Sequence, residues 1–202
     1  SHNPPSDNGI KCFADGSEFD REAERRIEEF VDENAPPVDW DRWQSSTRSD
    51  PLSTYREAVA DYARRFGADL DGLRVAVDCG TGMASVATPA VLDSLGASVT
   101  AVNATVDGHF PARPSKPTPE TLTEFRDLLA DADFELGIAH DGDADRIVIL
   151  DGDGEIVHED TIVAVLAGHY TRRYTEEHDA DAPTPVVVTT PNASGRIDEQ
   201  VT

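Results

Sequence analysis

Residues 134–150 read FELGIAHDGDADRIVIL. Phe134 to Ala139 and Arg146 to Leu150 have the apolar, branched make-up of short buried strands. Between them lies a loop of histidine, glycine, alanine and three aspartates. The two strands either follow one another in a parallel sheet or pair as a hairpin around 140–145. Working back from this segment, the chain predicts a helix over Pro119–Ala130, with Thr118 as its cap. Before it come a Pro-rich loop at 108–119, a strand at Val99–Val102 and a helix over Ser85–Leu95 closed by Gly96. A turn at Gly80-Thr81-Gly82 follows a strand at Leu73–Val77, which follows a helix over Leu52–Phe66 closed by Gly67. Strands that alternate with helices imply an α/β domain: three layers around a mixed, mostly parallel sheet.

Past Gly154 the alternation starts again. A helix is expected over Asp160–Tyr174, a strand over Pro185–Thr190, and the first turns of a helix over Asn192–Val201. Ahead of the α/β region, Gly9–Phe13 reads as a strand-like run and Asp20–Glu33 as an amphipathic helix, with Ala23, Ile27, Phe30 and Val31 at helical spacing. Residues 34–50 are polar and turn-rich, with Trp40 and Trp43 as candidate anchors, and read as a linker. Both ends of the chain read as cuts through a longer protein.

The sequence carries 40 acidic and 17 basic residues, for a net charge of -23. Such a chain repels polyanions, which argues against nucleic acid and anionic membranes as partners. Lys11 and Lys116 are its two lysines, against 15 arginines. Heavy acid with little lysine points to a cytosol at high salt, where screening weakens self-repulsion. Cys12 and Cys79 lie in apolar runs and read as small buried hydrophobes in a reducing compartment. No leader and no long apolar span is visible, so a cytoplasmic protein is expected.

Three segments carry chemistry. In the first, Asp141, Asp143 and Asp145 alternate; in an extended stretch, alternate residues point to one side. Three carboxylates converging on a point suit a hard cation such as magnesium, held partly by a phosphate. Arg146, next in line, is suited to fork onto that phosphate. With 25 aspartates in the chain, an accidental D-x-D-x-D is expected roughly 0.4 times, so spacing alone decides little. Asp151-Gly152-Asp153-Gly154 has similar letters and is most simply a turn. A calcium EF-hand does not fit 141–152, where Arg146 and Gly152 stand in place of the required glycine and glutamate. The second segment is Ser1-His2-Asn3-Pro4-Pro5, followed by Asn8-Gly9-Ile10-Lys11. It puts a hydroxyl on a loop with an imidazole beside it and an amine ten residues later, and serine needs such assistance to act as a nucleophile. The third is Gly108-His109-Phe110-Pro111-Ala112-Arg113-Pro114, continuing to Pro117-Thr118-Pro119.

Together these segments resemble the α-D-phosphohexomutases, the phosphomannomutase/phosphoglucomutase/phosphoglucosamine mutase group. Ser-His-Asn-Pro-Pro…Asn-Gly-Ile-Lys is similar to the family's phosphoserine loop, and Asp-Gly-Asp-Ala-Asp-Arg to its magnesium loop. The Gly-x-Phe-Pro…Pro-x-Pro stretch and Thr-Thr-Pro-Asn-Ala-Ser at 189–194 follow in the family's order. The resemblance implies that residues 1–33 end a first domain carrying the phosphoserine loop. It makes 34–50 a linker, 51–153 a whole second domain with the metal loop, and 154–202 the start of a third. It implies Ser1 as the phosphoserine, with Asp141, Asp143 and Asp145 holding Mg2+ alongside it. Lys11 would be the general acid/base, and His2, Asn3 and Arg146 would steady the phosphate and its loop. A lysine serving as base needs nearby cations or desolvation to release its proton. The implied substrates are a hexose phosphate and a hexose bisphosphate; the sugar and the oligomeric state are left open. If Ser1 is the true terminus, its free amine would sit beside the phosphate on a loose loop, and the chain by itself is expected to be inactive or nearly so. Two alternatives remain: a magnesium phosphatase using an aspartyl nucleophile, and a non-catalytic magnesium-binding α/β module.

Overall fold

The structure, a computed structural model, describes residues 3–7, 9–34, 36–67, 69–179 and 181–189. Ser1, His2, Thr190 and the helix expected over Asn192–Val201 lie outside the described residues. Strands β1 (Phe13–Ala14) and β2 (Ser17–Glu18) form a small antiparallel hairpin. Its turn is Asp15-Gly16, both at positive φ, the pairing that two-residue hairpin turns demand. Helix α1 (Arg21–Asp32) is capped by Asp20, whose side chain accepts from Ala23 N at 2.8 Å. Trp40 and Trp43 anchor nothing: they are 80% and 70% exposed, and Trp43 Nε1 reaches only the Val38 carbonyl.

The α/β region comprises α2 (Leu52–Ala63), β3 (Arg74–Asp78), α3 (Thr88–Ser94), β4 (Ser98–Val102), α4 (Thr123–Asp131), β5 (Leu136–His140) and β6 (Ile147–Asp151). The sheet runs β4-β3-β5-β6. β3 is parallel to both β4 and β5, with Val75 opposite Val99 and Val77 opposite Ile138. β5 and β6 are antiparallel, with Ile138 opposite Ile149 and His140 opposite Ile147. Of the two arrangements open for 134–150, the hairpin is the one formed. Alternate residues feed the two faces of the sheet. Val75, Val77, Cys79 and Ile138 pack with Ala84 and Ala97 on one face, and Ala76, Ala139 and Leu150 pack with Leu122, Phe125 and Leu129 on the other. Leu122, Leu129 and Leu150 are fully buried, and each contributes about 1.5–3 kcal/mol by leaving water.

Several boundaries differ from the sequence reading. The helix expected over Ser85–Leu95 is split into a 3-10 turn at Met83–Val86 and α3. Pro89 would sit inside a continuous helix, without an N–H and against the carbonyl four residues back. Instead the chain breaks at Ala87, and Arg56 Nε takes the Val86 carbonyl at 2.7 Å. α4 starts at Thr123; Thr118 caps a preceding turn, its carbonyl accepting from Thr121 N and Leu122 N at 3.0 Å. Asp151-Gly152-Asp153-Gly154 is a turn, as expected: Asp151 Oδ1 accepts from Asp153 N and Glu155 N. Helix α5 (Glu159–Glu177) follows, capped by the ring of His158. Residues 185–189 are not a strand. Val186 and Val188 are 82% and 88% exposed, and no strand among the described residues lies alongside to take their backbone bonds.

Both cysteines are free thiols, but Cys12 is only partly buried. Burial of Cys79 in the core pushes its thiol up to about 11. At about pH 8, where free thiols ionise, a water-soluble alkylating agent should label Cys12 and spare Cys79 until urea unfolds the chain. Equal labelling of both in the folded state, read by peptide mass, would contradict this burial. No helix among the described residues is long and apolar enough to cross a membrane.

Candidate active site

β3 and β5 run side by side in the same direction, and the chain goes on from β3 to β4 at one edge of the sheet and from β5 to β6 at the other. Crevices of this kind, beyond the carboxyl ends of parallel strands, are where open α/β sheets bind ligands. The loops 79–83 and 141–146 both open there.

The aspartate loop is a turn and not the extended stretch expected from its alternation. Ala144 N donates to the Asp141 carbonyl at 3.3 Å, and Ala144 sits at φ 62°, a left-handed conformation that costs a residue with a Cβ. The carboxylates converge nonetheless, with one oxygen each from Asp141, Asp143 and Asp145 lying within 4.8 Å of one another. Asp143 and Asp145 are exposed, whereas Asp141 is 1% exposed. Its Oδ1 accepts from Arg146 N at 3.2 Å, and its Oδ2 is buried with no hydrogen-bond partner among the described residues. Burial pushes this carboxyl above the usual carboxylate range, against the pull of the Arg146 N–H. A buried carboxylate oxygen with no donor among the described residues, beside two more carboxylates, fits a hard divalent cation.

The loop is braced from below. His140 is buried, which lowers its pKa. Its Nδ1 donates to the Arg146 carbonyl at 3.1 Å, and its Nε2 lies 3.4 Å from Thr88 Oγ1. Arg113, 7% exposed, reaches in from the Pro-rich loop. Its Nε donates to Asp78 Oδ2 at 2.6 Å, Nη2 to the His140 carbonyl at 2.7 Å and Nη1 to the Pro114 carbonyl at 3.1 Å. Asp78 Oδ1 accepts from Gly80 N and Asn103 Nδ2, both at 2.9 Å. Met83 N donates to the Gly142 carbonyl at 2.9 Å. A Cβ at Gly82 would stand 2.5 Å from that same oxygen, so only glycine lets the two backbones approach this closely.

Over this floor runs the first segment. Residues Asn3, Pro5 and Lys11 line a cleft of about 580 Å³ together with Phe110, Gly142 and Asp143. The Asn3 carbonyl accepts from Ser115 Oγ at 3.0 Å. Lys11 is largely exposed and its Nζ lies 3.2 Å from Glu18 Oε1. Arg146 is also exposed, with Nε 3.9 Å from Asp145 Oδ1. Ser1 and His2, expected beside Asn3, lie outside the described residues. Asp78, Arg113 and Ser115 are parts of this site that the sequence reading does not single out. Arg113 is one of 15 arginines, and nothing along the chain marks it as the partner of an aspartate 35 positions away.

Residues 50–154 match the family model described as phosphoglucomutase/phosphomannomutase, alpha/beta/alpha domain II, and residues 1–37 match that for domain I. Across 203 aligned residues the chain is 39% identical to a probable phosphoglucosamine mutase of Methanopyrus kandleri and 38% identical to a phosphopentomutase of Thermococcus kodakarensis. All of this chain is covered in both cases, and it spans 42% of the length of each of these curated relatives. Among solved structures, a phosphoglucomutase/phosphomannomutase family protein from Burkholderia thailandensis superposes with a TM-score of 0.67 at 25% identity, over 86% of this chain and 36% of that one. A putative phosphomannomutase from Thermus thermophilus shares the fold, with a TM-score of 0.64 at 20% identity over 86% of this chain and 40% of its own. With its α/β core and its first segment both matched to the same family, the chain belongs to the phosphoglucomutase/phosphomannomutase family.

Proposed function

We propose that this chain carries the phosphoryl-transfer centre of a sugar-phosphate mutase, which moves a phosphoryl group between two positions of a hexose phosphate by way of a phosphoserine and a sugar bisphosphate. The observation that carries the reading is the shared cleft: Asn3 and Lys11 line it with Asp143, although more than a hundred positions separate them in the chain. Residues 1–33 would end the first domain, 51–153 form the second and 154–202 begin the third.

In this reading Ser1 carries the phosphoryl group, and Asp141, Asp143 and Asp145 with the phosphoserine hold Mg2+. Magnesium, when bound, neutralises the charge that builds on the transferring phosphoryl oxygens. The protein's own share is positioning. Asp141, tied to the Arg146 N–H, presents Oδ2 from a buried place that water reaches poorly. Lys11 leaves Glu18 to take or return the proton of the sugar hydroxyl. His2, Asn3 and Arg146 steady the phosphate and its loop; Arg146 is exposed at the cleft side and able to turn toward an anion. The acid excess reads as adaptation to a salty cytosol.

The sugar is the finer question. Relatives named for glucosamine and for pentose phosphates are nearly equally similar, at 39% and 38% identity. Glucose, mannose, glucosamine and pentose 1-phosphates therefore belong in one substrate panel. The decisive test is a mass spectrum after incubation with glucose 1,6-bisphosphate and magnesium at high salt. Phosphate on Ser1 is expected. Phosphate on an aspartate would point to a phosphatase, and magnesium binding indifferent to serine phosphorylation would point to a non-catalytic module. The 202-residue chain alone should turn over little substrate, and brisk turnover would remove the need for further domains.

A further inference from the structure

We propose that Ser115 is a positioning residue that sets the first segment over the aspartate loop, and that residues 113–115 form a strap joining the two halves of the site. The strap makes one contact to each half. Arg113 Nη2 donates to the carbonyl of His140, the residue just before Asp141, at 2.7 Å. Two residues on, Ser115 Oγ donates to the carbonyl of Asn3, two residues after Ser1, at 3.0 Å. Both strap residues are buried, at 7% and 4% exposed.

The strap has a firm base at both ends. Arg113 is held by the Asp78 carboxylate at the end of β3. On the other side, Thr121 Oγ1 donates to the Lys116 carbonyl at 3.2 Å and accepts from Thr118 N at 2.8 Å, just ahead of the fully buried Leu122. The strap is thus fixed to the sheet and to the start of α4. The first segment lies at the surface. Its residues from Asn3 to Asp7 are exposed, and its internal bond, Asp7 N to the Pro4 carbonyl at 3.0 Å, is local. A short exposed loop samples many conformations, and a buried hydroxyl bonded to its backbone narrows that range. A displacement of about 1 Å between reacting groups costs on the order of a hundredfold in rate, so the tie matters to any reaction in the cleft.

The proposal rests on the reading of the first segment and the aspartate loop as one reacting site, and the test separates the two. The variant is Ser115→Ala, which removes the hydroxyl and leaves the fold's packing intact. Lys11 provides the first readout, because Lys11 and Lys116 are the two lysines of the chain and Lys116 is followed by proline. A lysine-specific endoproteinase should cut the folded variant after Lys11 about five- to tenfold faster than the parent, the factor expected when one hydrogen bond no longer opposes local opening. The second readout is phosphoryl transfer from glucose 1,6-bisphosphate to Ser1, which should slow in the variant while its magnesium affinity stays that of the parent. Unchanged cleavage after Lys11 would overturn the strap. If the parent never takes up phosphate, the mutase reading fails, and the cleavage comparison still decides the role of Ser115.

Discussion

Arg113→Met is expected to destabilise the protein by about 3–5 kcal/mol, the usual cost of breaking one side of a buried ion pair. Arg113 and Asp78 are 5% and 1% exposed at their side chains, with Nε and Oδ2 2.6 Å apart. Methionine approximates the apolar arginine stem but leaves the Asp78 carboxylate, among the described residues, with Gly80 N and Asn103 Nδ2 as donors. It also leaves the His140 carbonyl without its arginine donor. The loss should show as a lower urea midpoint with an unchanged slope. Pairing the change with Asp78→Asn should restore part of it, because the stranded charge is then gone; the amide oxygen can still accept from Gly80 N. If the double variant is no more stable than Arg113→Met, the buried charge is not the source of the cost.

The second large effect falls on the metal. Asp141→Asn should weaken magnesium binding by at least about a hundredfold, since replacing even an outer partner of a metal ligand costs about 10–100-fold. Asn keeps an oxygen for the Arg146 N–H and keeps the side-chain shape. It removes the negative charge at the buried Oδ2, which no donor among the described residues satisfies. The metal-free variant should therefore be at least as stable as the metal-free parent, trading function for stability. Calorimetric titration with magnesium and urea unfolding in chelator check the two halves. A variant that binds magnesium as tightly as the parent would rule Asp141 out as a ligand.

Much of the α/β core could be read in advance because its signals are local. Val75 and Val77, with Ile138 and Ile149, sit in compact apolar runs flanked by turn residues, and each became part of a strand of the sheet. The aspartate trio was also visible, although for a mistaken geometric reason. Its convergence comes from a turn with Ala144 at positive φ, and no propensity favours alanine there. What could not be read depends on distant partners. Pro89 within the stretch 85–95 was a local warning that the helix would break, and Asp15-Gly16 a local signal for the hairpin. The Asp78–Arg113 pair and the Ser115–Asn3 bond span 35 and 112 positions, and no periodicity records them. Residues 185–189 show the opposite failure. A run of valines has strand propensity, but a strand exists only where another backbone completes its ladder.

The chain contains one methionine, Met83. Its N–H is bonded to the Gly142 carbonyl, inside the aspartate loop, while its side chain is 47% exposed. The turn after β3 and the aspartate loop are therefore seated on each other through bare backbone, and neither can shift without carrying its neighbour along. An isotopically labelled methyl at this single position would act as a built-in gauge of the aspartate loop, free of overlapping signals and outside the ligand set itself.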